Sequence, residues 1–571
     1  MAVIRERQVE KLARTYVLNV YVLAMAIHGS LLCQELSRGQ PSDHKHPEHA
    51  LEQDSALPIS SGKELYGLHC AGCHGERGDG LGIAAPYLFP KPRDFRAGRF
   101  RLVSSANNVP TRDDLQAVLL RGMPGSSMPP WGQLSQTERD ALVDEIMRFR
   151  QAGARDTYVN QLKEYEDLTD EEIAEQEVQE EIDEYVQEFT TPGESTVGPK
   201  IGPPSPESIA QGKEGEVKNG CIYCPGTTGG EGEGHAMWDD EKMPTSPRDF
   251  ALGIFKGSPE PAPLYRRIAY GMPGTPMPGS SSMSPEQMVD LVHYIRSLST
   301  EAERTQAVLT RQRIVSRAVN KLADDFDARI WSSVRPVAVR LTPLWWRNNA
   351  DPDLQIQAIH DGNTMVLRFT WQDETLDERA TKTESFEDAV AVELYQGDTE
   401  PFLGMGSLKQ PVDVWFWDAD RQTHTTVEDQ YPRVVDDIYP FSEERVETAD
   451  YHRPGTLTNN QPDLSLPALA SGNQIVPIRT RTGGTDLAAG GPGSVTFHLP
   501  KSQIVTAKGR WRDGRWTVVM RRPMAVESPE EGVSLVAGEK VSIAFAVWNG
   551  IHQDRDGQKS FSVWQDLEIE P

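Results

Sequence analysis

Cysteine and basic residues are scarce in this sequence. Only five of its 571 residues are cysteine, which is too few for a disulfide scaffold. The 58 lysines and arginines are outnumbered by 85 aspartates and glutamates, so the formal net charge is −27. Because phosphate backbones are bound by clustered basic side chains, this balance argues against a nucleic-acid partner. The length is typical of a chain with several domains.

A segment apolar enough to cross a membrane is missing as well. At the N-terminus a basic stretch, residues 5–14, precedes a short apolar stretch, residues 16–27. The apolar part has the length of a signal-peptide core and is too short to span a bilayer. Residues 1–33 therefore predict a signal peptide or N-terminal anchor rather than a buried amphipathic helix. We expect a periplasmic or otherwise extracytoplasmic protein without a stable transmembrane span.

Two parts of the chain repeat one another. Each opens with Gly-Lys-Glu and a helical stretch that leads into Cys-x-x-Cys and a glycine-rich loop. Each continues with Pro-Arg-Asp-Phe and Gly-Met-Pro-Gly-x-x-Met-Pro, and each closes with an amphipathic helical pattern. These motifs lie at Pro92–Phe95 and Pro247–Phe250, and at Gly122–Pro129 and Gly271–Pro278. The repetition predicts two all-α domains of one kind.

Changes of composition mark the remaining domains. The repeats span residues 57–152 and 206–300, and the strongly acidic residues 153–205 between them predict a solvated helix or a disordered linker. A docking strip for a basic partner is the alternative interpretation of this linker. Residues 301–325 predict a helical connector. From residue 326 to 571, alternating β-rich runs with Asp-Gly turns and most of the tryptophans predict an antiparallel β-sandwich.

The first Cys-x-x-Cys is followed by histidine, which is a specific signal for covalent c-type haem. Cys70 and Cys73, on one helical turn, can form thioether bonds to one porphyrin, and His74 then lies beneath the iron. Met128 in GMPGSSMPPW is the candidate sixth ligand, and Met123 in the same loop is its rival. An iron held by histidine and methionine has no open position, which favours electron transfer over catalysis.

These motifs together resemble the class I cytochrome c family, and the resemblance covers the first repeat. It implies a helical fold that holds a covalent haem. In that family the methionine before a proline-rich turn is the axial ligand, which favours Met128 over Met123. A side chain that merely fills the core is the alternative role for Met128.

The second repeat keeps Cys221 and Cys224 and a methionine loop with Met277, but Pro225 stands where the histidine would be. Proline has no side-chain donor and cannot bind iron. The resemblance to the cytochrome c family therefore fails at the decisive residue. A second covalent haem c on Cys221 and Cys224, with Met277 as a ligand, is disfavoured for this reason.

Three interpretations of the second site stay open. The favoured one is that the domain has lost its haem and serves as a structural partner of the first. Alternatively, it holds a haem through another proximal ligand, either His235 in the glycine-rich loop or His293 on the closing helix. Finally, Cys221 and Cys224 could form a disulfide, which an extracytoplasmic compartment permits.

The last domain carries an ordered set of short stretches, among them FEDAVAVELYQG, PFLGMGS, VDVWFWDAD and VSIAFAVWNGIHQDRDGQKSFSVWQDLEI. They resemble the haem b-binding γ subunits of ethylbenzene dehydrogenase and its relatives, dimethylsulfide dehydrogenase, selenate and chlorate reductases and nitrite oxidoreductase. The resemblance implies a non-covalent haem b at one end of the sandwich, with Met405 and Lys559 as iron ligands. His552 is the alternative ligand. Spacing alone would suggest only a buried methionine and a surface lysine.

The same resemblance implies a function. The chain would be an electron-transfer subunit of a DMSO reductase-family molybdenum oxidoreductase, most similar to the nitrite oxidoreductase and nitrate reductase types. One haem b and one or two haem c groups would pass electrons between the iron–sulfur and molybdopterin subunits and a soluble c-type cytochrome. Any membrane association would come through that complex. The acidic composition predicts a basic carrier.

Two functions of other classes are the alternatives. A free-standing haem enzyme of the peroxidase or nitrite reductase type needs an iron with an open position. A binding module tethered to a cytochrome needs no haem b at all. The coordination of the iron and the number of haem groups distinguish these alternatives from the electron-transfer subunit.

Overall fold

The computed structural model describes residues 61–226, 237–322, 325–347, 353–378, 385–422, 483–498, 502–526 and 532–571. All of these residues lie in one compact unit, Pro58–Pro571. The predicted signal peptide and His235 lie outside the described ranges. Within those ranges, no helix is both long enough and apolar enough to cross a membrane.

The first repeat forms a small helical domain. Its helices are α1 (Gly62–His69), α2 (Ala71–His74), α3 (Arg112–Arg121) and α4 (Gln136–Tyr165), with a 3-10 turn at Ala85–Tyr87. Helices α1, α3 and α4 each begin with a capping box, in which a hydroxyl and a carboxylate accept hydrogen bonds from backbone N–H groups. The apolar faces of these three helices meet in one buried core.

The acidic linker is helical as far as Thr190, and residues 191–205 have no helix. Helix α4 runs through its first part, and α5 (Asp170–Ile173) and α6 (Gln176–Thr190) follow. Leu162, Ile173 and Ile182 form a small buried cluster between these helices, while the acidic side chains of α6 are exposed. The predicted domain boundary at residue 152 therefore falls inside α4, because an apolar stripe folds the acidic segment back on that helix.

The second repeat forms another helical domain with the same order of long helices. Its elements are α7 (Pro206–Lys218), a 3-10 turn at Cys221–Tyr223, the short paired strands β1 (Met237–Trp238) and β2 (Pro244–Thr245), α8 (Pro261–Tyr270) and α9 (Pro285–Ser297). Its core is a separate cluster that includes Phe255, Leu264 and Leu291.

The first and last helices of each repeat cross in the same way. A Cβ on Gly62 of α1 would lie 2.1 Å from the carbonyl oxygen of Ala141 in α4. A Cβ on Gly212 of α7 would likewise lie 2.1 Å from the carbonyl oxygen of Asp290 in α9. Glycine at this position therefore permits the close helix contact in both repeats.

The methionine loops are also alike. In the first repeat, the N–H of Met123 donates to the carbonyl oxygen of Met128 at 3.0 Å. In the second, the N–H of Met272 donates to the carbonyl oxygen of Met277 at 3.1 Å. The repeated sequence motif thus builds the same closed loop twice.

The C-terminal domain is a β-sandwich. Its strands are β3 (Arg313–Ala318), β4 (Val337–Val339), β5 (Thr342–Pro343), β6 (Leu354–His360), β7 (Thr364–Gln372), β8 (Ala389–Tyr395), β9 (Val412–Asp418), β10 (Thr485–Ala489), β11 (Thr496–Phe497), β12 (Thr506–Trp511), β13 (Arg515–Pro523), β14 (Lys540–Trp548), β15 (Ser560–Phe561) and β16 (Gln565–Ile569). The hydrogen-bonded order is β11-β10-β9-β8-β14-β16-β3-β6-β7-β13-β12. Three short strands lie off this path: β4 pairs with β6, and β15 pairs with both β14 and β5.

Two halves of this strand order enclose one core. Strands β8, β9 and β14 from one half and β6, β7 and β13 from the other contribute to the same buried cluster. The rings of Phe369 and Phe545 meet edge to face with centroids 5.9 Å apart, and those of Trp417 and Trp516 with centroids 5.0 Å apart. Such aromatic pairs across the core explain why most tryptophans lie in this domain.

The prediction of a helical connector over residues 301–325 is wrong beyond its first turns. Only α10 (Glu301–Gln306) is helical, and residues 313–318 form β3 in the middle of the sheet. This strand runs parallel to both neighbours, β16 and β6, so the sandwich is not wholly antiparallel. Buried and more exposed residues alternate along this strand, with Ile314 and Ser316 buried. The alternation is hard to recognise in the sequence because the surrounding stretch is rich in charged residues.

A buried ion pair lies beside the core of the sandwich. The guanidinium of Arg522 donates to the carboxylate of Asp413, and their side chains are 0% and 2% exposed. The carboxylate also accepts from the N–H of Val533 at 2.9 Å. The guanidinium carbon lies 4.7 Å from the ring centroid of Trp415. Removing either charge would leave the other without compensation in a dry site.

We expect Arg522→Met to lower the free energy of unfolding of the sandwich by about 3–5 kcal/mol, since it leaves the Asp413 carboxylate buried and unpaired. Chemical unfolding followed by tryptophan fluorescence measures this change. The control is Arg313→Met, because Arg313 and Glu568 form a solvent-exposed pair and its loss should be barely measurable. Equal effects of the two substitutions would contradict the prediction.

Candidate functional site

The Cys-x-x-Cys-His motif occupies a single tight turn. Cys70 ends α1 and begins α2, which contains Cys73 and His74. The N–H of His74 donates to the carbonyl oxygen of Cys70 at 2.8 Å. Cys70 and His74 are buried and Cys73 is half-buried, and both cysteines are free thiols. Two sulfurs and one imidazole therefore project from the same short segment, as attachment of a covalent porphyrin requires.

The imidazole of His74 is oriented by its surroundings. Its Nδ1 lies 2.9 Å from the carbonyl oxygen of Arg93, and its ring stacks on Phe95 with centroids 4.4 Å apart. Because a carbonyl only accepts, Nδ1 carries the proton and Nε2 keeps the lone pair for a metal. Burial lowers the pKa of His74 to about 4, so the ring is neutral, as a ligand must be.

Met128 lies at the core of the same domain. It is half-buried and packs on the cluster that contains Cys70 and Phe95. Met123 is equally half-buried but does not belong to that cluster. The structure thus brings Met128 to the surroundings of Cys70 and His74, which favours it over Met123. The pairing of His74 with Met128 on one iron stays a prediction.

The described residues of the second repeat do not reproduce this site. Cys221 is half-buried and Cys224 is exposed, and both are free thiols rather than a disulfide. Met277 has an exposed fraction of 39% and does not belong to the core cluster of its domain. Pro225 follows Cys224, so the residue next to the second cysteine supplies no imidazole. The open alternative of His235 as ligand falls outside the described residues.

His293 is engaged in other contacts. It lies on α9, the closing helix of the repeat, and is buried. Its Nδ1 lies 2.7 Å from the hydroxyl of Ser208, and its Nε2 lies 3.1 Å from the carbonyl oxygen of Gly202. Both ring nitrogens therefore hold the domain together, and binding iron would break one of these bonds.

A second site lies on the outer face of the sandwich. Where β8 and β14 pair, several residues on this face are alanines. Ala391 lies opposite Ala546, and Ala544 lies opposite Glu393. These alanines belong to an apolar cluster outside the main core, which Met405 also contacts. A row of small side chains leaves room for a flat ligand close to the sheet.

Met405 and Lys559 meet over this face. Met405 lies in the loop between β8 and β9, and Lys559 lies in the loop between β14 and β15. The Nζ of Lys559 is 3.7 Å from the Sδ of Met405. Thioether sulfur and unprotonated amine nitrogen can both bind a metal ion, and these two atoms are close enough that both could hold one haem iron. His552, the alternative ligand, is exposed.

The loop of Met405 is tightly constrained. Met405 has a φ of 74°, in the left-handed region that residues other than glycine rarely adopt. Its carbonyl oxygen accepts from the N–H of Gly491 at 2.8 Å. Backbone strain of this kind concentrates where a side chain must be presented in one direction. Here it directs the thioether towards Lys559.

The surroundings of Lys559 lower the pKa of its amine. Burial lowers the pKa of Lys559 below its ordinary range, although the carboxylates of Glu393 and Asp556 oppose that shift. Burial also raises the pKa of Glu393 to about 8, and its Oε1 has no hydrogen-bond partner among the described residues. An amine with a lowered pKa, a thioether, a row of alanines and a carboxyl oxygen without a partner among the described residues fit a non-covalent haem.

The two candidate sites touch one another. The ring of Phe402, three residues before Met405, lies within 2.6 Å of where a Cβ on Gly72 would stand. The ring of Tyr87 lies within 2.7 Å of a Cβ position on Gly557, two residues before Lys559. The segment that carries Cys70, Cys73 and His74 therefore packs on the loop that carries Met405. Sequence reasoning missed Phe402, Tyr87 and Glu393, since only the tertiary contacts give them a role.

Comparison with known families agrees with this geometry. Residues 328–560 match the family model described as ethylbenzene dehydrogenase, and residues 58–144 match that of cytochrome c oxidase, cbb3-type, subunit III. The C-terminal segment belongs to the ethylbenzene dehydrogenase family. The N-terminal match covers the first repeat with its Cys-x-x-Cys-His motif. An ethylbenzene dehydrogenase-type domain thus follows a cytochrome c domain in one chain.

Three curated relatives share the C-terminal part. A respiratory nitrate reductase heme subunit of Haloferax mediterranei is 28% identical over 42% of this chain and 66% of its own length. The dimethylsulfide dehydrogenase subunit gamma of Rhodovulum sulfidophilum is 27% identical over 37% and 58%. The chlorate reductase subunit gamma of Ideonella dechloratans is 26% identical over 38% and 65%. The chain thus spans about 58–66% of the length of these relatives.

We expect Lys559→Ala to remove haem b from the purified protein, because it deletes one of the two side chains that meet over the alanine face. The pyridine haemochrome spectrum, which separates b-type from c-type haem, measures the loss. The matched control is His552→Ala, which should keep haem b since His552 is exposed. If His552→Ala lost haem b and Lys559→Ala kept it, the ligand assignment would be reversed.

Proposed function

We propose that this protein is an electron-transfer subunit of a molybdenum oxidoreductase complex. It would pass electrons between an iron–sulfur subunit, next to the molybdopterin catalytic subunit, and a soluble c-type cytochrome. The family of the C-terminal segment supports this proposal, since its relatives are named as subunits of a nitrate reductase, a dimethylsulfide dehydrogenase and a chlorate reductase. The nitrite oxidoreductase or nitrate reductase type is the one we favour.

The contact between the two candidate sites carries the proposal. Gly72 lies between the two cysteines of the haem c motif, and Phe402 packs directly on it from the loop of Met405. A haem held by one site would thus lie next to a haem held by the other. Neighbouring redox groups in one chain are what an electron relay needs, whereas a binding module has no use for them.

Some side chains of the two sites would bind the haem groups, and this binding would also keep other molecules from the iron. Cys70, Cys73, His74 and Met128 would hold haem c, and Met405 and Lys559 would hold haem b. When bound, the haem groups supply one-electron chemistry, and the protein supplies orientation and electrostatics. Two protein ligands for each iron keep water and small substrates from the metal. The orphaned Oε1 of Glu393 places a titratable group beside Lys559.

The second repeat is, in our proposal, a cytochrome c-type domain that has lost its haem. The glycine crossing at Gly212 and the methionine loop support common descent with the first repeat. Pro225, the exposed Cys224 and the engaged His293 support the loss of the haem. One haem c and one haem b would then be present in each chain, and an acidic surface would face a basic carrier outside the cytoplasm.

The haem content tests this function. We expect the full chain, produced in a host that matures c-type cytochromes, to contain one haem c and one haem b. Mass spectrometry should find the porphyrin on the peptide with Cys70 and Cys73 and not on the one with Cys221 and Cys224. Porphyrin on the second peptide would overturn the loss of haem from the second repeat. A chain without haem b would favour the binding module instead.

Carbon monoxide separates a relay from a haem enzyme. It binds reduced iron only at an open position, so we expect the absorption spectrum of the reduced protein to stay unchanged when the gas is added. The matched control is Met405→Ala, in which an opened position at haem b should bind the gas. A spectral change in the unsubstituted protein would favour the free-standing haem enzyme.

A further inference from the structure

A buried arginine of the second repeat reaches into the methionine loop of the first. Arg248, in the second Pro-Arg-Asp-Phe motif, is only 5% exposed. Its Nε donates to the carbonyl oxygen of Pro124 at 3.3 Å. A Cβ on Gly125 would lie 2.8 Å from its Cδ and Nε. Its guanidinium carbon lies 5.1 Å from the ring centroid of Trp346 in the sandwich. The side chain is thus enclosed by all three domains.

Within the described parts of the chain, no ion pair compensates the burial of this cation. Burial and the nearby Arg101 lower the pKa of Arg248 to about 9, and no carboxylate of the described residues counteracts them. Arg93, at the same place in the first motif, instead pairs with Glu241. A buried, unpaired cation costs stability. The favourable interaction that Arg248 makes at this position is therefore its hydrogen bond to the methionine loop.

The methionine loop would transmit a displacement of Pro124 to Met128. The hydroxyl of Ser126 donates to the carbonyl oxygen of Met123 at 2.7 Å. The N–H of Met123 donates to the carbonyl oxygen of Met128 at 3.0 Å. The hydroxyl of Thr342 in the sandwich donates to the carbonyl oxygen of Ser126 at 3.4 Å. The loop is closed on itself and anchored from outside at two points.

The second repeat also holds the segment beside His74. Asp239, Asp240 and Glu241 pair with Arg101, Arg99 and Arg93, respectively. The carbonyl oxygen of Arg93 is the acceptor for the Nδ1 of His74. One domain therefore contacts both the loop that carries Met128 and the segment whose carbonyl oxygen holds the imidazole of His74.

We propose that the second repeat is a clamp for the haem c site, and that Arg248 is a positioning residue for Met128. This inference deepens the proposed function and rests on haem c being bound by the first repeat. The clamp explains why a domain without an iron ligand at Pro225 keeps the rest of its fold: its contacts, not a haem, are its contribution. The domain acts by limiting how far Met128 can move from the iron.

If the clamp holds Met128, its loss should weaken the bond between Met128 and iron and lower the reduction potential of haem c. Methionine as the axial partner of histidine raises the reduction potential of haem. A loop released from Arg248 would hold the thioether less firmly, so the potential of haem c should fall. A tenfold change in the equilibrium constant of a one-electron couple corresponds to about 59 mV, and we expect a fall of up to this size.

Arg248→Met in the full chain tests the proposal. Methionine preserves most of the buried volume and the packing on Trp346, but it removes the hydrogen bond to Pro124. The readouts are the weak red absorption band of methionine-ligated ferric haem and the reduction potential of haem c. We expect the band to weaken and the potential to fall, and Arg248→Lys to restore part of both. The control is Arg112→Met, which removes one cation from an exposed pair with Asp144.

Each outcome decides the matter. A band and a potential unchanged in Arg248→Met, or changed equally in Arg112→Met, would overturn the clamp. If the Arg248→Met protein failed to fold, Trp346→Leu would replace it as the test. This substitution removes the ring that packs on the Arg248 guanidinium from the sandwich. An unchanged red absorption band in Trp346→Leu would likewise count against the proposal. The absence of haem b would refute the proposed function and leave this test intact, because both readouts concern haem c alone.

Discussion

The approach of Phe402 to Gly72 is the contact on which the arrangement of the two candidate sites depends. Only a residue without a side chain at position 72 lets the aromatic ring lie against the turn that carries Cys70, Cys73 and His74. The ring belongs to the strained loop that presents Met405, so one contact joins the covalent site to the non-covalent one. The packing of Tyr87 on Gly557 repeats this relation for the loop of Lys559.

Rigid support recurs at every candidate ligand. His74 is held by a backbone carbonyl and a stacked ring, Met405 by a left-handed backbone, and the Met128 loop by hydrogen bonds from neighbouring domains. A ligand that cannot move keeps the same bond to iron in both oxidation states, which is an advantage for electron transfer. The same rigidity would be a disadvantage for an enzyme that must open a position for substrate. The fold as a whole therefore supports a relay.

Much of this protein could be predicted from residues that are close in the sequence. The Cys-x-x-Cys-His turn, the repeated loops and the β-rich domain all appear as local patterns, and the structure contains them. Met405 and Lys559 are 154 residues apart, and the resemblance to a family, not spacing, brought them together. The strand at residues 313–318 was predicted as helix because its two buried positions lie in a charged stretch and its partners come from distant parts of the chain.

The sequence by itself determined which groups can react: two thiols and an imidazole on one turn, and in the second repeat a proline that cannot bind iron. These depend on covalent chemistry and on backbone geometry over a few residues. Only the tertiary structure decided where those groups point and what touches them. Arg248, Phe402 and the two partners of His293 acquired their roles through contacts between segments far apart in the chain. Such contacts arise from packing of whole domains, which no local pattern encodes.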